Sequence, residues 1–84
     1  MEYKLTINGD KEWRLPNGLL HREDGPAFEY NGTKVWYTNG KRHRENGPAV
    51  EYANGIKKWF LYGVSYTEQE YKYKTRSRKL KSLL

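Results

Sequence analysis

The chain has 84 residues, with 16 Lys and Arg against 10 Asp and Glu for a formal net charge of +6, and it carries eight Tyr, three Trp and no Cys. A domain this small buries only about 60–65% of the surface its unfolded chain exposes, which leaves no room for a deep substrate cleft or a buried dinucleotide. The lack of Cys excludes disulfides, a thiolate zinc site and a thiol nucleophile, and the short apolar runs exclude a membrane-spanning helix. Met1-Glu2-Tyr3-Lys4 has no apolar signal stretch, so a cytoplasmic protein is expected, with the positive charge favouring an anionic partner.

In chain order, β-branched and aromatic residues flank recurring Asn-Gly pairs, which predicts strands near 2–7, 11–15, 27–31, 34–38, 49–53 and 57–62. Asn8-Gly9, Asn31-Gly32 and Asn54-Gly55 are expected to form type I′ hairpin turns, whose two central residues both need positive φ. Asn17 to Pro26 and Asn39 to Pro48 are the longer connections, and Gly25-Pro26 and Gly47-Pro48 end them, because Pro cannot donate to a ladder and suits a strand's first position. Thr67-Glu68-Gln69-Glu70 has the form of a capping box, and no Gly or Pro follows it, so residues 67–84 are predicted as a helix. Tyr73, Ser77, Leu80 and Leu84 give that helix a patchy apolar stripe with which to dock.

The elements repeat. Trp13, Trp36 and Trp59 stand 23 residues apart, as do Gly9, Gly32 and Gly55, while His21 and His43 are 22 apart. A fixed period of this length predicts stacked units, each burying its neighbour's apolar face. The expected fold is mainly β (α+β): an antiparallel β-hairpin repeat sheet of about six strands over residues 1–66, carrying a basic C-terminal helix over 67–84. Residues 1–66 hold ten Lys/Arg and eight Asp/Glu, a balance of +2, whereas residues 67–84 hold six and two, a balance of +4.

Leu20-His21-Arg22-Glu23-Asp24-Gly25-Pro26-Ala27 and Arg42-His43-Arg44-Glu45-Asn46-Gly47-Pro48-Ala49, each followed by an Asn-Gly turn and a Lys-x-Trp strand, resemble the His-Arg-Glu-Asp-Gly-Pro-Ala variety of MORN-like repeat, abundant in phage and giant-virus proteins. The second copy departs from it by Asn46 in place of Asp. The resemblance covers roughly residues 8–63 and implies a β-hairpin repeat fold and a viral origin. Such repeats are scaffolds, so it implies no single function. In size and charge the chain is also similar in outline to phage counter-defence factors, among them inhibitors of toxin endoribonucleases of the ToxN kind.

Three readings of function follow. The first is a non-enzymatic binding module that contacts RNA, and through it a host nuclease or toxin. Lys72, Lys74, Arg76, Arg78, Lys79 and Lys81 would neutralise phosphates, and Lys41, Arg42, Arg44 and Tyr37 would add a basic, aromatic repeat face. Tyr30, Tyr37, Tyr52 and Tyr62 are expected on that face beside Lys34, Lys41, Arg42, Arg44 and Lys58, and the three Trp in the core. The second is a protein–protein inhibitor or assembly module without RNA, and the third a small nuclease using His21 and His43. The histidines recur at one repeat position, which favours a structural role and no catalytic residue, and His21 and Asp24 are too few ligands for a metal. No cofactor and no membrane partner is expected. Two open sheet edges make a homodimer an expectation as well.

Overall fold

The computed structural model describes residues 2–7 and 9–82, with Ile7 and residues 77–82 described by their backbone alone. The fold is mainly β and antiparallel. Among the described residues it contains β1 (Tyr3–Ile7), β2 (Asp10–Arg14), β3 (Phe28–Tyr30), β4 (Thr33–Val35), β5 (Tyr37–Thr38), β6 (Lys41–Arg42), β7 (Val50–Glu51), β8 (Lys57–Leu61), β9 (Val64–Tyr66) and α1 (Glu68–Ser82). Seven strands form one sheet in the order β1-β2-β3-β4-β7-β8-β9, and β5 and β6 pair as a ribbon. The molecule is thin, with extents of 44 × 31 × 17 Å.

Three strands exceed the expected six: β9, after the last predicted strand, and β5 and β6, which arise for a definite reason. The N–H of Trp36 donates to Ala49 O at 2.7 Å, while its carbonyl accepts from the His43 N–H at 3.0 Å. One residue therefore meets two separated stretches of the returning chain, and the residues between them, 44–48, are thrown out as an excursion. The same happens at Trp13, whose N–H reaches Ala27 O at 2.8 Å and whose carbonyl accepts from His21 at 2.9 Å, with 22–26 thrown out. Each predicted long connection thus holds a returning piece of strand. The ribbon is tied to the start of the preceding excursion, with Arg22 N–H on Tyr37 O at 3.3 Å and Gly40 N–H on Leu20 O, just before it, at 2.8 Å.

The turns split into two kinds. Asn31-Gly32 has φ of 47° and 79°, the expected type I′ pair, and Asn39-Gly40 (49° and 80°) is another. Tyr62-Gly63 repeats these angles with a bulky first residue (49° and 85°). Asn54-Gly55 departs from the expectation: only Gly55 has positive φ, Gly55 N–H donates to Tyr52 O at 2.9 Å, and Tyr52 N–H to Ile56 O at 2.9 Å. That is a three-residue loop ending in a glycine bulge, which the extra residue Ala53 forces. Asn8 lies outside the described residues.

Alternation sorts the side chains onto two faces. Across the sheet, Lys11 pairs with Glu29, Glu29 with Lys34, Lys34 with Glu51 and Glu51 with Lys57. This row of alternating charge shares a face with the three Trp, and both excursions fold over it. On the other, open face lie Leu5, Phe28, Val35, Val50 and Phe60. Val35 and Val50 are buried there, and the two alanines that follow the prolines, Ala27 and Ala49, have no exposed surface at all.

The helix forms as its first residues dictate. Thr67 N–H donates to Glu70 Oε1 at 2.9 Å and Glu70 N–H donates to Thr67 Oγ1 at 3.1 Å, a reciprocal capping box. Thr67→Ala is expected to lower stability by about 1 kcal/mol, read as an earlier urea midpoint with an unchanged slope; an unshifted midpoint would show the cap to be idle. The docking residue differs from the expected stripe. Tyr71 is buried, whereas Tyr73 is 76% exposed. The Tyr71 hydroxyl donates to Arg44 O and accepts from Gly47 N–H at 3.2 Å, so the helix locks onto the second excursion.

Candidate nucleic-acid interface

The excursions are built around an arginine laid on a tryptophan. The Arg22 guanidinium carbon lies 3.9 Å from the centre of the Trp13 ring, and that of Arg44 lies 3.8 Å from Trp36. Arg22 Nη1 donates to Pro26 O at 3.2 Å, and Arg44 Nη1 donates to Pro48 O at 3.1 Å and to Glu51 Oε2 at 3.0 Å. Each guanidinium therefore closes its own loop while covering its own Trp. At Trp59 the helix takes the place of a third excursion, and Trp59, Tyr71, Lys72, Gly47 and Pro48 line one groove. The tryptophans are thus packing elements, and half-buried.

The histidines join one unit to the next. His21 Nδ1 accepts from Asn39 N–H at 3.0 Å, and His43 Nδ1 accepts from Tyr62 N–H at 3.0 Å, with the His43 ring stacked on Tyr62 at 3.9 Å between centroids. An acceptor Nδ1 places the proton of a neutral imidazole on Nε2. For His21 that nitrogen faces Glu2 and Glu23, each at 3.9 Å, and for His43 it faces Glu45 at 3.6 Å. Glu2, His21 and Glu23 bring three metal-type ligand atoms within 4.8 Å of one another. His21 is poorly set to be the third ligand, because binding at Nε2 would move the proton to Nδ1, against the Asn39 N–H. Asp24 is not part of this cluster and turns instead to Arg22 at 3.4 Å.

Between the two excursions runs an open groove of about 680 Å³ lined by both histidines, Trp36 and the loop residues. Its cations are turned inward onto tryptophan, while Glu23 and Asp24 stand 83% and 88% exposed at the side chain and Glu45 is also exposed. The rim facing solvent is acidic. Arg44, expected at a ligand-binding face, is instead committed to Trp36, Pro48 and Glu51.

The other expected contact residues fall in two places. Tyr37 pairs with Arg42 in the ribbon, and the Arg42 guanidinium lies 5.4 Å from the Phe60 ring, so these sit on the open face. Lys41, beside the Tyr62-Gly63 turn, points the other way. Register also corrects the tyrosine face: Tyr30, Tyr52 and Lys58 share the open face, while Lys34 lies in the charged row opposite.

On α1, Lys72, Lys74 and Arg76 are exposed. Lys72 Nζ meets Glu68 at 3.2 Å, and Lys74 Nζ lies 5.7 Å from the centre of the Tyr66 ring. Tyr66, Gln69, Glu70, Tyr73 and Lys74 together line a shallow hollow on the outer side of the helix. The side chains of Arg78, Lys79 and Lys81 lie outside the described residues. Tyr66 and Tyr73 are not among the contact residues expected from the sequence, although Tyr73 between Lys72 and Lys74 carries the signal of an aromatic among cations. No helix among the described residues is long and apolar enough to cross a membrane. Compared with protein-family models, curated proteins and solved structures, the chain matches none.

Proposed function

We propose that the protein is a small, non-enzymatic, cytoplasmic RNA-contacting module whose binding surface is the outer side of the helix. The observation that carries this is the hollow where exposed Tyr73 and half-buried Tyr66 stand beside Lys74, with Lys72 and Arg76 on the same helix. Cations that track phosphates, next to aromatic surfaces on which bases stack, are what single-stranded nucleic acid requires. In this reading the hairpin body is a MORN-like repeat scaffold of viral kind, and the bound RNA belongs to a host nuclease or toxin that the protein inhibits.

Filter binding to a short single-stranded RNA at low and fourfold higher salt tests it. Six phosphates neutralised by residues 72–81 give a log–log slope near −4, so affinity falls by roughly two orders of magnitude over that step. Tyr73→Ala weakens binding about tenfold, since base stacking on an aromatic contributes ~1–3 kcal/mol. A flat salt response, or no binding, removes RNA from the proposal.

A protein-only inhibitor or assembly module is favoured by one observation, the acidic rim of the larger groove, which would repel phosphate and attract a basic protein surface. It predicts that inhibition survives RNase treatment and loss of the helix cations.

A further inference from the structure

The two ends of the sheet are finished differently. At the C-terminal end β9 has three residues, and the chain then enters α1, which packs back on β8 and β9. At the N-terminal end β1 has five residues, all paired on one side with β2, and the strand order ends with it. Among the described residues its other side is an open ladder edge, the feature that seeks another strand.

The chemistry of that edge can be read residue by residue. Ile7 and Asp10 face each other across a two-residue connection, the pair that closes such a hairpin by mutual hydrogen bonds. Hydrogen-bonded and non-hydrogen-bonded pairs alternate along an antiparallel ladder. Tyr3, Leu5 and Ile7 therefore spend their backbone groups on β2, and Lys4 and Thr6 turn theirs outward. Tyr3 and Leu5 are 46% and 39% exposed, and Leu5 begins the open-face row that runs through Glu12, Phe28, Val35 and Val50.

We propose that β1 pairs with β1 of a second copy, antiparallel about a two-fold axis at Leu5. In that register each Lys4 lies opposite the partner's Thr6, and the two outward-facing pairs exchange four backbone hydrogen bonds. Leu5 meets its own image at the close, non-hydrogen-bonded position, and Tyr3 lies opposite Ile7, so the open-face row continues from one copy into the other. Pairing about Lys4 instead would set two ammonium groups face to face. The net charge of the chain does not oppose the arrangement. The helix packs on β8 and β9, five and six strand spacings or roughly 24–29 Å from β1, about three Debye lengths at physiological salt. The helices end up at opposite ends of a continuous sheet.

Light scattering and sedimentation equilibrium of the full chain, from micromolar to millimolar concentration, test the pairing. The wild type is expected to reach twice the 10.0 kDa chain mass. Thr6→Pro deletes an outward N–H that β2 does not use, and Pro is tolerated at such an edge, so this variant is expected to stay at the single-chain mass with an unchanged far-UV spectrum. Thr6→Glu, which sets a carboxylate against each partner Lys4, is expected to tighten the dimer several-fold, and Thr6→Lys to weaken it. These two variants keep the test alive if Thr6→Pro fails to fold. A wild type that stays at single-chain mass throughout overturns the proposal. A folded Thr6→Pro that still dimerises, or charge variants that leave the dimer unmoved, overturns the β1 register.

Discussion

Arg44→Ala is expected to lower the folding stability by about 2–3 kcal/mol, from a cation–π contact of ~0.5–2 kcal/mol and hydrogen bonds from a charged donor of similar size. The guanidinium covers Trp36, closes the excursion through Pro48 O and pairs with Glu51 across the strand. Its own carbonyl is the acceptor for Tyr71, so loosening the loop also loosens the helix. Arg44→Lys should recover little, because one ammonium cannot lie flat on an indole and serve two acceptors at once. Arg22→Ala is the internal comparison. It has the same stack, but its polar contacts are longer, 3.2 Å to Pro26 O, 3.4 Å to Asp24 and 3.8 Å to Glu29, so the loss is expected to be smaller. Urea unfolding followed by Trp fluorescence measures both. An Arg44→Ala midpoint equal to the wild type, or a larger loss at Arg22, would sink this ranking.

The second large effect concerns the helix cations. Replacing Lys72, Lys74 and Arg76 together by Ala is expected to lower affinity for single-stranded RNA about 100-fold at low salt and to flatten the log–log salt slope by ~2, three phosphates at ~0.7 each. The fold should not suffer. All three are exposed, Ala is the best helix former, and the Glu68–Lys72 pair is an exposed ion pair that contributes little. Lys41→Ala with Arg42→Ala and Lys58→Ala is the control that also removes three charges, from the sheet and ribbon, where Arg42 and Lys58 face the open side. Equal losses in the two variants would show a diffuse attraction to the net charge, and an unchanged slope in the triple variant would move the RNA contact off the helix.

Local signals in the sequence are legible where a residue's role depends on its immediate neighbours. The Thr67–Glu70 box announces the helix start, and Asn31-Gly32 announces a turn, because each is closed by groups a few residues apart. Strand positions follow from the same signals. What the sequence conceals depends on how distant segments fold back. Nothing local says that Arg44 lies on Trp36 and turns to Pro48 and Glu51, since that requires the excursion to turn over the sheet. The clue is numerical: Arg22 and Arg44 keep step with His21 and His43, and with tryptophans 23 apart. Placing Lys34 on the tyrosine face groups residues by proximity in the chain, where one step along a strand reverses the face. The rotation of the helix escapes the sequence for a related reason. Its apolar stripe is weak, so the face that docks is chosen by the hydroxyl of Tyr71 finding Arg44 O and Gly47 N–H, not by the helix itself.

The meander order of the sheet, β1-β2-β3-β4-β7-β8-β9, has a kinetic consequence. Every strand pair joins stretches close in the chain, so the contact order is low and little loop-closure entropy stands between the unfolded chain and its first native hairpin. Folding can begin at Asn31-Gly32 or at Tyr62-Gly63 and spread outward by adding one strand at a time. Each histidine then ties an earlier hairpin to the next as it arrives. A lesion at the β4–β7 junction would leave two independently fraying halves where a lesion at either end would only shorten the sheet.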